Sequence, residues 1–471
     1  MNRPFMIVWI GIGLLLGACS MTPPYTRPEA PVAQTWPGGP AYEKSGTQTG
    51  APGVTDIPWR EFFVDPGMQQ TIAAALENNR DLRLAALNVQ RARAIYGIQR
   101  SALSPAVDAT ANGRKQRIPA DLTYTGDVER SEQYDVNLGV FSWEIDFFGR
   151  IRSLKDQALE SYLATEQARR STQVLIVSSV AEVYLALAAD RENLALSQTT
   201  LDAQNASYRL IRRRYEVGLA TELDLNQART QVAVARRNIA RYTLRVAQDL
   251  NALRLLVGTP ASVPEQMLPD DLAGVQPPAA IYAGLSSDIL LLRPDILQAE
   301  HQLKAANANI GAARAALFPR ISLTTTLGTA SSELSGLFDS GSGTWLFAPQ
   351  LSLPVFDARL WSAVDAAKAE NEIALVNYEK AIQTAFREVA DALAVQGTID
   401  ERLAAQQSLV EATSETYRLS DMRYAKGIDN YLSVLDAHRS LYAAQQERVL
   451  LEREKLANQV RLYAVLGGGA K

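Results

Sequence analysis

Leu225, Val232, Ile239, Val246 and Leu253 recur every seven residues, and Leu435, Tyr442, Val449, Leu456 and Tyr463 repeat the spacing. A sustained seven-residue period predicts helices that supercoil against neighbours. Proline and glycine are absent between Ile151 and Val217, between Leu219 and Val257, and between Ile428 and Leu466. The first of these stretches, helical throughout, would be ~100 Å long, too long to fold back into one globular core. A different period occupies the segments between helices. From Arg320 to Gly328, Ile321, Leu323, Thr325 and Leu327 alternate with polar or small residues, the two-residue period of a strand. Val107 to Arg114, Tyr134 to Ile145 (Tyr134, Val136, Leu138 and Val140 on one face) and Trp345 to Leu353 read the same way, with Lys115 to Gln133 and Ala330 to Thr344 as the connections.

The chain is an internal duplication. Asp81 to Pro105 lines up without gaps with Asp295 to Pro319, setting Gly97 on Gly311 and Arg100 on Arg314. Farther on, Arg214-Tyr215, Gly218, Leu223, Ala228 and Gly258 fall on Arg423-Tyr424, Gly427, Leu432, Ala437 and Gly467. Each copy reads helix, strand, loop, strand, long helix, turn, helix. Strands of ~9 to 11 residues match a tilted crossing of a bilayer. Four cannot close a barrel, and open edges are not tolerated in lipid, so a membrane reading requires several chains to share one barrel. A small soluble sheet is the other reading of the alternation alone.

The N-terminus narrows this choice. Asn2-Arg3, an apolar run from Phe5 to Leu16, and Leu16-Gly17-Ala18-Cys19 form a secretory signal too short to span a bilayer. Its ending is similar to a bacterial lipobox, which implies cleavage before Cys19 and a lipid on its thiol; Ser20 in the next position favours the outer membrane. No later apolar segment reads as a transmembrane helix. The expected layout is signal peptide 1–18, a Pro- and Gly-rich lipid-anchored tether 19–66, a first repeat 67–258, a linker 259–285, a second repeat 286–467 and a tail 468–471. The formal charge is -4 from 47 basic and 51 acidic residues, so nucleic acid is not an expected partner. One cysteine and two distant histidines, His301 and His438, give no metal site, and no cofactor is implied.

Several strings, Trp143-Glu144-Ile145-Asp146-Phe147-Phe148-Gly149-Arg150, Arg293-Pro294-Asp295-Ile296, Ala306 to Arg314 and Ser335-Gly336-Leu337-Phe338, make the chain resemble the TolC-like outer-membrane factors, closest to the drug-efflux lipoproteins of resistance-nodulation-division pumps. The resemblance runs from the lipobox to Leu466-Gly467-Gly468-Gly469. It implies a mixed α and β membrane protein. In a homotrimer, four transmembrane strands per chain complete a twelve-stranded β-barrel, continuous with an α-helical coiled-coil tunnel in the periplasm. It further implies a periplasmic adaptor, an inner-membrane transporter, and a passive gated duct for drugs and other small molecules.

Both longest helices end on Tyr-x-x-Gly, Tyr215 to Gly218 and Tyr424 to Gly427. Glycine is expected where a helix stops and turns. By resemblance these turns form the periplasmic tip, where an adaptor docks and the tunnel closes. Asp224 and Asp436 lie just beyond the turns, with Leu432 four residues before Asp436 on the same helical face. Three-fold assembly makes each a ring: carboxylates that prefer cations, and an apolar constriction. The family pattern implies that Tyr424 and Arg439 hold the closed state through bonds involving Asp224 of a neighbouring hairpin; Asp429 and Ser433 depart from some relatives in this turn. A solvated helix-start carboxylate is the plain alternative for each aspartate. Arg209, Arg212, Arg213 and Arg214 fit an acidic partner or a solvated face. No phosphate loop, nucleophile elbow or metal cluster points to an enzyme. A lipid-tethered coiled-coil scaffold leaves the duplicated strands unexplained, and a protein-secretion or metal-efflux partner would keep the duct.

Overall fold

The computed structural model describes residues 20–43, 54, 57–258, 267–281 and 286–469. Cys19, the signal segment, and parts of the tether, linker and tail lie outside the described residues. Apart from a single turn at Trp59–Phe62, the α-helices of the described residues are α1 Pro66–Asn78, α2 Arg80–Ser101, α3 Arg150–Glu216, α4 Glu222–Val257, α5 Pro294–Ala315, α6 Ala358–Ala425 and α7 Tyr431–Val465. The strands are β1 Asp108–Ile118, β2 Glu129–Ile145, β3 Arg320–Ser331 and β4 Gly343–Ser352. The duplication is visible in element lengths. α2 and α5 have 22 residues each, α3 and α6 have 67 and 68, and α4 and α7 have 36 and 35. The chain divides into a strand-bearing unit (to residue 29, 88–166, 298–378) and a helical unit (30–87, 167–297, 379–471).

In the strand-bearing unit the four strands form one antiparallel sheet in the order β1-β2-β3-β4, so the two copies join at β2 and β3. The register resolves two faces. Leu138, Leu327 and Trp345 lie side by side, as do Ile145, Ile321 and Leu351. Leu138, Leu327, Trp345 and Leu351 are all more than half exposed. On the opposite face Asn137, Gly328 and Thr344 align, then Glu144, Ser322 and Gln350. A bulge between Val140 and Trp143, with Ser142 at φ 57°, resets β2 so that both faces persist to its end. The connections are shorter than the alternation predicts. β1 runs on to Ile118 and β2 begins at Glu129, inside the expected Lys115–Gln133 loop, while β3 and β4 end at Ser331 and begin at Gly343. Lys115 to Ile118 pairs with Glu129 to Glu132 as an exposed ribbon, and without an apolar face it carries no alternation to read.

In the helical unit the heptad positions are buried or half-buried: Val232, Leu253, Leu435, Val449 and Tyr463 are inside, and Leu225, Ile239, Val246, Tyr442 and Leu456 are partly covered. Phe62 stacks on Tyr463 at 4.0 Å between ring centroids. Asp65 caps α1 by accepting from the Met68 amide (2.8 Å) and also receives the Tyr184 hydroxyl (3.2 Å). Buried Arg293 reaches Asp295 (2.7 Å), Glu388 (3.0 Å) and the Val465 carbonyl (2.6 Å), so its charge is fully partnered. One 18-residue window of α3 is apolar enough by composition to cross a membrane, and half of it is buried in the chain itself. It includes the part of α3 that carries Tyr184, and we read it as core.

The Pro-rich N-terminal segment is extended, as composition predicts, yet it is held along its length. In the strand-bearing unit Arg27 pairs with Glu300 (3.2 and 2.6 Å), Asn307 donates to the Pro23 carbonyl (2.9 Å), and Gly311 lies so close to Thr22 that no Cβ fits. In the helical unit Ser287 donates to the carbonyls of Ala33 (2.6 Å) and Gln34 (2.9 Å), Trp36 stacks on Phe386 (5.3 Å), and Gly397 makes room for Ala41.

Candidate functional site: the hairpin tips

Each long helix ends in the same backbone turn. Gly218 (φ 78°) donates to Tyr215 O (3.0 Å) while Leu219 donates to Arg214 O (2.7 Å). Gly427 (φ 72°) donates to Tyr424 O (2.9 Å) while Ile428 donates to Arg423 O (2.9 Å). This is a Schellman stop, and the left-handed φ is why glycine ends both helices. Thr221 and Asn430, equivalent in the duplication, then cap α4 and α7.

Behind the turns, Ile211, Ala228, Tyr424, Tyr431, Val434 and Leu435 form one apolar cluster binding the hairpins together. Tyr424 and Tyr431 rings lie 5.3 Å apart, and Arg214 sits 4.8 Å over the Tyr424 ring. Burial raises the phenol pKa of both tyrosines; beside Tyr424 the Arg214 charge opposes this and the Asp224 charge adds to it. His438 is pushed below its usual pKa by burial, and its Nδ1 accepts from Gln204 Nε2 (3.0 Å).

The sequence-predicted residues separate into three groups. Asp224 is committed to its own helix: its Oδ2 accepts from the Thr221 amide (2.9 Å) and hydroxyl (2.8 Å), while its amide donates to Thr221 Oγ1 (3.1 Å), a complete capping box. Tyr424 is buried in the tip cluster. Leu432, Asp436 and Arg439 lie on the exposed face of α7; Leu432 is 47% exposed, and Arg439 approaches only Asp436 (3.7 Å) among the described residues. Tyr215, Val217, Leu219, Leu223 and Ile428 are exposed apolar side chains around the turns. Tyr431, Arg214 over Tyr424, and the Arg423–Asp429 bridge (2.6 and 2.9 Å) across the second turn were not anticipated from the sequence. Arg423 and Asp429 lie six residues apart, a spacing that meets only because the turn folds back.

A family model described as Outer membrane efflux protein matches residues 71–259 and 285–468. The chain belongs to the outer membrane efflux protein family. Its two matched segments fall on the two copies of the duplication. Among relatives, the antibiotic efflux pump outer membrane protein ArpC of Pseudomonas putida is 50% identical over 460 residues, covering 97% of this chain and 93% of that protein. The toluene efflux pump outer membrane protein TtgC of Pseudomonas putida is equally similar, 50% over 460 residues with the same coverage. Among solved structures, the open state of the Neisseria gonorrhoeae MtrE outer membrane channel superposes with a TM-score of 0.85 at 36% identity, covering 96% of this chain and 99% of that one. This efflux protein has the fold of an outer-membrane channel, and the outer membrane is its location.

Proposed function

We propose that three copies of this chain assemble into one gated duct through which a tripartite pump exports drugs and other small molecules. The carrying observation is the four-stranded sheet, open at β1 and β4, with one exposed apolar face and one polar face. In lipid such edges require strands from another chain, and three copies supply twelve. The exposed face of α7 then turns Leu432 and Asp436 towards the axis as a constriction, with Arg439 beside them. Tyr424 and the Asp224 cap hold each hairpin's shape, and the apolar rim at Tyr215, Gly218, Leu219 and Gly427 receives a periplasmic adaptor linked to an inner-membrane resistance-nodulation-division transporter. The duct itself performs no chemistry. A lipid on Cys19 anchors the tether 19–66 to the outer membrane, and the repeats 67–258 and 286–467 carry the conduit. Relatives named for antibiotic and toluene efflux support small, largely apolar cargo.

Single-channel conductance in planar bilayers tests this reading. Small, cation-preferring currents are expected, with Asp436→Ala losing cation preference and Asp224→Ala changing it less. A purified protein that never inserts would sink the duct.

A further inference from the structure

The polar face of the sheet ends in a cleft of about 470 Å³ where the strands meet the helices. Its floor is the strand row Glu144, Ser322 and Gln350, joined by Ile145 where β2 ends; Ile321 and Leu351 lie on the other face of the same strands. Resting on the reading of the chain as a duct, the cleft therefore opens to the lumen and not to lipid. Its wall is aromatic: Phe148 and Phe318 stack at 4.9 Å.

The cleft is lined by two carboxylates, Glu144 and Asp146, and two guanidiniums, Arg150 and Arg320, and a third guanidinium, Arg152, stands just outside the lining. Glu144 holds Arg150 in a two-bond pair (2.9 and 2.6 Å) and is also approached by Arg320 Nε (3.2 Å). The nearby Asp146 is occupied by Arg152 (3.2 Å) and by the amides of Ile151 and Arg152 at the start of α3. Two carboxylates thus face three guanidiniums. The surplus rests on Arg320, whose side chain is 58% exposed and whose closest approach to Glu144 is through Nε. The terminal amino groups of a guanidinium form the fork that pairs with carboxylates and sulfonates. A volume of this size suits a small ligand (roughly 300 to 1,000 Å³ is usual) and can house one or two fused rings.

We propose that this cleft is a transit site for small aromatic anions, the acidic group on Arg320 and the ring against Phe148 and Phe318. The site gives the duct a resting place for anionic cargo just before the barrel.

The test uses the full-length protein and 2-naphthalenesulfonate, with 1-naphthylmethylammonium as the control of opposite charge. In planar bilayers the sulfonate is expected to interrupt the current reversibly, and more strongly than the ammonium compound. Arg320→Gln is expected to raise the half-blocking concentration about tenfold and Phe318→Ala about threefold, each relative to that variant's own open current. Equal block by both compounds, or block indifferent to both substitutions, would overturn the site while leaving the duct intact. Equilibrium dialysis of the sulfonate against the purified protein separates the two ideas. Binding lost in Arg320→Gln without any conductance would keep the site and reject the duct, whereas conductance without specific binding would reject the site.

Discussion

The two hairpin tips share a backbone and differ in how their charges are used. Thr221 and Asn430 occupy equivalent cap positions, but the third helical residue after them is Asp224 in the first copy and Ser433 in the second. Only the first tip therefore closes a reciprocal capping box. Arg214 and Arg423 are likewise equivalent. Arg423 finds Asp429 across its turn; the matching position in the first copy is Ala220, and Arg214 lies over the Tyr424 ring instead. The stop signal in the backbone is one device used twice, while the side chains make the first tip a closed cap and the second a charged clasp. Asp436 has Gln227 as its counterpart, so the carboxylate at this position belongs to the second hairpin alone.

The strongest way to break the symmetry is at the glycines. Gly218→Val and Gly427→Val each force a branched residue into left-handed backbone, at about 1–2 kcal/mol apiece. Nothing lies near either Cβ position, so the costs are expected to be equal and additive in thermal unfolding. Unequal costs would mean that the turns are not the same device.

A deeper difference lies in the helical unit. Asp249 of α4 is pushed up to about 6 by burial, by the Asp190 charge and by a side-chain hydrogen bond with Asp190. The equivalent residue in α7 is Asn458, which donates to the Ala392 carbonyl (3.0 Å). A carboxyl whose folded pKa is raised holds its proton longer when folded, so stability falls as pH rises from about 4 to about 6 and stays lower above that. Asp249→Asn is expected to raise the melting temperature at pH 7.5 and to flatten this dependence. No gain at pH 7.5 would show that the charge is already compensated.

Next in size, Asp224→Ala is expected to cost about 1 kcal/mol through the lost cap, and Ser433→Asp to recover stability by building the missing half of the box. Parallel melts of the two variants check both. The smallest effect is expected from Arg423→Gln. This pair is exposed, so its removal is expected to leave the melting temperature almost unchanged in physiological salt. A substantial drop would instead make the clasp part of the fold.

Much of this architecture is legible in the sequence because its periods are long. Heptads and the absence of Pro and Gly mark α3, α4 and α7, and the alternation at Ile321 to Leu327 marks a strand with one wet face. The ribbon that extends β1 and β2 is not legible, since both faces of Arg114 to Arg117 are polar. The bulge at Ser142 carries no residue that advertises positive φ. At the tips, the glycine stops could be read, but the capping box consumes Asp224 through contacts that a ring model does not anticipate. Tyr431 joins the tip core through packing between hairpins, which no local spacing reports.

The docked N-terminal segment has a consequence for the order of assembly. Most of its anchors, Ser287, Glu300, Asn307, Gly311, Phe386 and Gly397, come from the second copy; Ser153, 3.0 Å from Thr22, is the exception. During synthesis the N-terminal segment lacks most of its seat until the second copy is made and folded. The strap is then a late closure that only a complete chain can form.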